Sequence, residues 1–108
     1  MKRLLGLLIC SVSSMSANAV YFIDGNELLD KMKDETAIAT FSFAQGYVTA
    51  VADSADAFPW VCIPTGVKVG QLMDVTKRYL ESHPETRHIN ADQLVNSALR
   101  VAWSCPKK

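Results

Sequence analysis

The chain has 108 residues, 49% of them hydrophobic, with 11 basic and 11 acidic side chains that cancel. That is one small domain, and with no stripe of Lys or Arg interleaved with aromatics it gives nucleic-acid binding no electrostatic support. No apolar run approaches the ~20 residues a membrane helix requires, so no membrane insertion is expected.

The first segment reads as a secretory signal peptide. Lys2 and Arg3 supply a positive start, Leu4 to Cys10 an apolar core, and Ala17-Asn18-Ala19 an A-x-A cleavage site. Cleavage after Ala19 makes residues 1–19 the signal and 20–108 the mature domain, beginning at Val20. The rival reading is a lipoprotein signal on Cys10, for which Ile9 is a poor preceding residue. The mature chain keeps 89 residues, and the loss of Lys2 and Arg3 leaves it a net charge of −2. A core of that size is marginal, and a covalent staple helps it.

Four helices follow from periodicity and no strand does, so the expected class is all-α. Phe22-Ile23 is read as a packed N-terminal arm. The first helix is expected over Asn26–Lys33, with Asp24 and Asn26 as cap candidates and Leu28, Leu29 and Met32 as its stripe. The second is expected over Ala37–Ala57, where Ile38, Phe41, Ala44, Tyr47, Val48, Val51, Ala52 and Ala55 recur at helical spacing. Gly46 interrupts it and is read as permitting close helix packing. Phe58-Pro59 ends it, because a residue before proline leaves helical geometry.

After a loop broken by Pro64 and Gly66, the third helix is expected over Val69–Ser82. Its inner face is assigned to Val69, Leu72, Met73, Val75, Thr76, Tyr79 and Leu80, and Pro84 enforces its stop. The fourth is expected over Ala91–Trp103. Asn90 is its N-cap, Gln93 the capping-box partner, and Leu94, Val95, Ala98, Leu99 and Ala102 its stripe.

Two cysteines remain in the mature chain, Cys62 before the third helix and Cys105 just past the fourth. In an oxidising compartment they are expected to pair and close the C-terminal helical hairpin. By the chain-entropy account such a loop is worth on the order of 4 kcal/mol. The functional alternatives are a redox pair or half a metal site. Redox motifs commonly place the cysteines two residues apart, and no further ligand lies near either one.

The stretches GNELL, GYVTAVAD, CIPTGVKVGQL, YLESHPETRH and ADQLVNSAL, in this order and ending at Cys105, resemble the Rap/Tai family of immunity proteins, periplasmic partners of type VI secretion amidase effectors. The resemblance covers the chain from about Gly25 to Cys105. It implies a small all-α fold, a homodimer in many members, and binding to a toxin that cleaves peptidoglycan peptides, whose active-site cleft is blocked. The chain departs from the family at several positions. Many members carry a second cysteine pair where Met32 and Ala44 stand here. Lys68 replaces a Thr or Ser cap, and Trp103-Ser104 replaces Phe-Pro.

The residues offer little to an enzyme. His83 and His88 flank a proline turn, with no carboxylate and nucleophile ordered as a triad. As zinc ligands they would need a third group, for which Glu85 is the nearest choice; as structural residues they cap and close the hairpin. Asp53 and Asp56 share a helix face, where a carboxylate pair serves acid–base chemistry or, more simply, forms a solvated edge. No cofactor or metal is expected.

Two function classes remain. For a toxin-neutralising protein, the HPETRH turn is the first contact element, stiffened by Pro84 and offering His83, Glu85, Arg87 and His88. The Phe58-Pro59-Trp60 loop is the second, with Phe58 and Trp60 as aromatic anchors, unless Trp60 packs beside the disulfide. The other class is a small helical, acid-activated periplasmic chaperone, which would expose apolar surface as carboxylates protonate.

Overall fold

A computed structural model describes residues 22–55, 57 and 59–107. The signal segment with its cleavage position after Ala19 and Cys10 lies outside the described residues, as do Asp56 and Phe58. Helix α1 spans Gly25–Lys33, α2 Ile38–Ala55, α3 Val69–Ser82 and α4 Ala91–Ala102, with a short 3-10 turn at Pro84–Thr86. Among the described residues the only extended pairings are two isolated antiparallel bridges, Asp24 with Asn90 and Val61 with Ser104. The fold is all-α, as the periodicity predicts.

Asp24, rather than Asn26, caps α1: its Oδ1 accepts from the Glu27 backbone N–H at 2.9 Å. Lys31 and Lys33 stand in the last turn, where cations complement the helix dipole. Helix α2 buries Ala44, Val48, Ala52 and Ala55, a stripe of small side chains. Ile38, assigned to that stripe, is 76% exposed, because it begins the helix and no neighbour covers it. Gly46 is exposed as well, and a Cβ placed on it would meet nothing within 4 Å. It therefore does not mediate close packing.

Helix α3 buries Leu72, Met73, Thr76 and Leu80, while Val69, expected on the inner face, is 39% exposed at its first turn. Lys68 occupies its N-cap position but has no acceptor to offer the helix. Half a capping box survives: Gln71 Oε1 accepts from the Lys68 backbone N–H at 2.8 Å. Helix α4 buries Ala91, Leu94, Val95, Ala98 and Leu99, and Ala102 proves exposed. Asn90 stands at its N-cap position without a side-chain capping bond, so the expected box with Gln93 is not formed. The Ala91 N–H instead donates to the Ile23 carbonyl at 3.1 Å, so the N-terminal arm supplies an acceptor to one of the helix's orphan donors. In that arm Ile23 is buried and Phe22 is exposed.

Helices α3 and α4 form the closest pair, a hairpin against which α1 and α2 pack. Leu28 and Met32 of α1, Val48 of α2, Thr76 and Leu80 of α3 and Val95 and Leu99 of α4 are the largest fully buried side chains among the described residues. Cys62 and Cys105 are joined, with Cα atoms 4.9 Å apart and a sequence separation of 43. The Cys62 N–H donates to the Trp103 carbonyl at 2.8 Å and the Cys105 N–H to the Trp60 carbonyl at 3.4 Å, so backbone pairing supports the bridge. Among the described residues no helix is long and apolar enough to cross a membrane.

Candidate partner-binding site

The connection between α3 and α4 is built almost wholly from backbone constraints. Helix α3 ends as His83 donates its backbone N–H to the Leu80 carbonyl at 3.4 Å. The His83 ring turns back along the helix: Nδ1 lies 2.8 Å from the Tyr79 carbonyl oxygen. A carbonyl only accepts, so the proton of this bond sits on Nδ1. The ring also stacks on Tyr79, with centroids 4.0 Å apart and planes 22° from parallel.

Pro84 opens the 3-10 turn, where a missing N–H costs nothing. Thr86 closes it by donating both its backbone N–H and its hydroxyl to the His83 carbonyl, at 3.2 and 3.3 Å. The Ile89 N–H then donates to the Thr86 carbonyl at 3.1 Å. From the other side, α1 reaches across. The Asn26 N–H donates to the Arg87 carbonyl at 3.0 Å and the Gly25 N–H to the Ile89 carbonyl at 3.1 Å.

This frame sorts the predicted contact residues. Glu85 and His88 are exposed at the crest. His83 is half-buried and engaged with Tyr79, the geometry of a helix-closing residue. Arg87 is half-buried too, with its Nε buried and without a hydrogen-bond partner among the described residues. A shallow groove of about 210 Å³ runs along α3 and α4 between Val75, Tyr79, Ala98 and Val101 and reaches His83. Among the described residues, no three of the His, Cys, Asp and Glu side chains gather into a cluster that could hold a metal ion. Asp53 is exposed on α2.

The second predicted element is not brought to the first. Trp60 is 45% exposed, and its carbonyl is paired with Cys105 at the disulfide end of the hairpin. Helix α3, at 14 residues and ~1.5 Å per residue, puts about 20 Å between that end and the turn. The sequence reads Phe22-Ile23 as a packed arm but leaves unseen where it docks, beneath the turn, because nothing local to residues 22–26 points to carbonyls and amides some sixty residues away.

Residues 24–105 match the family model of the Rap1a immunity proteins. The chain belongs to the Rap1a immunity protein family. The matched span opens at Asp24, the α1 cap, and closes at Cys105, so the Gly25 and Asn26 pairings, the turn and the bridge lie within the Rap1a region, and Ile23 stands just before it. Among curated proteins none matches the chain.

Proposed function

We propose that this Rap1a family member is a periplasmic immunity protein that binds and blocks a peptidoglycan-cleaving amidase delivered by type VI secretion, and that the His83–His88 turn is the element that enters the toxin. The observation that carries this is the turn's rigidity: its backbone is pinned on both flanks while Glu85 and His88 project outward. A preformed crest loses little conformational freedom on binding, which is how a small loop gains affinity. Arg87 lends positive charge at its base, and His83 braces it from behind. Trp60, at the opposite end of the hairpin, would reach a partner only outside the same cleft. Family membership also weighs for immunity over the acid-chaperone alternative.

The test is protection in a living cell. Peptidoglycan amidases, beginning with any encoded beside this gene, are sent to the periplasm of a test bacterium with and without this chain. Rescue is expected, and it is expected to vanish when residues 1–19 are deleted. It should also vanish in a folded Glu85→Lys, His88→Asp double variant. Full rescue by that variant would remove the turn from the interface. No rescue by the natural chain, present and folded, would remove the amidase.

A further inference from the structure

We propose that Gly25 is a positioning residue for the His83–His88 turn, so that the first residues of the mature domain belong to the recognition unit; this rests on the reading of that turn as the toxin-binding element. Three main-chain hydrogen bonds join residues 23–26 to residues 87–91: Ala91 to Ile23 at 3.1 Å, Gly25 to Ile89 at 3.1 Å and Asn26 to Arg87 at 3.0 Å. They place the first turn of α1 directly under the crest.

Gly25 is buried at the closest point of this approach. A Cβ there would stand 2.9 Å from the Arg87 carbonyl oxygen and overlap the Leu94 side chain. The carbonyl belongs to backbone and cannot swing aside as a side-chain tip can, so any larger residue must move the Arg87 segment or the start of α1. The Arg87 carbonyl and the exposed Glu85 and His88 share one short loop, and a displacement at its base is transmitted to its crest. Gly25 touches no partner itself; it acts through Arg87. The chain thus spends a glycine at a helix start, not for a turn of its own but to let a distant loop sit down on it.

The experiment compares Gly25→Ala with Val48→Ala, which opens the core at α2, an element that supplies none of the hydrogen bonds between arm and turn. Two quantities are read at equal folded fraction: affinity for a catalytically inactive form of the amidase that the chain neutralises, and amide hydrogen exchange at Asn26 and Ala91. Gly25→Ala is expected to weaken affinity by about tenfold or more and to speed exchange at both amides, while Val48→Ala keeps natural affinity. Should Gly25→Ala fail to fold, a Gly25→Ala, Leu94→Val double variant trims the side chain that the new Cβ overlaps while keeping its 2.9 Å approach to the Arg87 carbonyl oxygen, and the same loss of affinity is expected. Natural affinity with natural exchange in the folded variant overturns the proposal. Undiminished binding by the Glu85→Lys, His88→Asp variant would instead overturn the reading of the turn, whatever Gly25 does.

Discussion

Tyr79 and His83 are joined twice, by ring stacking at 4.0 Å and by a 2.8 Å hydrogen bond from the imidazole Nδ1 to the Tyr79 carbonyl. The bond satisfies one of the carbonyls that the end of α3 would otherwise leave orphaned, and the stacking fixes where the proline turn begins. Replacing His83 by Ala removes both. The expected cost is about 1–2 kcal/mol in urea denaturation, with a far smaller cost for an exposed neighbour such as Glu85→Ala. Equal midpoints for the two variants would show that the imidazole contributes nothing to closing the helix.

The disulfide spans a sequence separation of 43, which the chain-entropy account values at on the order of 4 kcal/mol, with native strain able to lower it. The Cys62→Ser, Cys105→Ser double variant should therefore unfold at markedly lower denaturant concentration. The turn lies at the far end of the hairpin and keeps its own hydrogen bonds. Variant molecules that remain folded should still protect in the periplasmic assay. A stability loss under about 1 kcal/mol would mean that the Val61–Ser104 backbone pairing already constrains the unfolded chain as much as the bridge does.

Gly46 sits mid-helix on α2, exposed, with open space where a side chain would stand. Gly46→Ala should stabilise the protein by about 0.5–1 kcal/mol, because alanine restricts the unfolded backbone and meets no obstacle in the folded one. Thermal denaturation measures this directly. A destabilised variant would point to a surface that packs against Gly46 in solution.

The Tyr47 hydroxyl is held above the usual tyrosine range, first by burial and then by the charge of Asp92, although the Asp92 backbone pulls the other way. The sign follows from which state keeps its proton longer. The folded protein stays protonated at pH values where the unfolded chain has begun to ionise, so Tyr47 stabilises fully below pH ~10 and that contribution is lost as pH rises through the folded value. Tyr47→Phe should flatten the alkaline decline in denaturation midpoint between pH ~9 and ~11. An unchanged slope would assign that decline to other groups.

The parts of this fold that were legible from the residues are those written in local pattern. The limits of α3 stand where periodicity and Pro84 put them, at Val69 and Ser82. The cysteine pair follows from compartment and count, and the proline turn from its composition. What failed did so for identifiable reasons. Ile38, Val69 and Ala102 keep the apolar period but lie at helix ends, where the neighbouring helix no longer covers them. Asn90 has the chemistry of a cap, yet the Ile23 carbonyl answers α4 instead, and that carbonyl comes from a segment far away in the chain. Of the turn, the sequence named four residues without ranking their exposure: Glu85 and His88 reach solvent, whereas His83 and Arg87 are partly taken into the structure. The loop at Trp60 ranked second to the turn, and its place beside the cysteine bridge sets it at the opposite end of the hairpin.

The crest of the turn is shaped by main-chain groups of Thr86, Arg87 and Ile89, together with the Thr86 hydroxyl, while the side chains it shows to solvent, Glu85 and His88, lie outside the buried core. Shape and display are thereby separated. Under the proposed role of the turn, charge, size or polarity can be exchanged at these two positions one mutation at a time, with no repair needed beneath them. The same separation lets new side chains be placed on the turn over an unaltered scaffold.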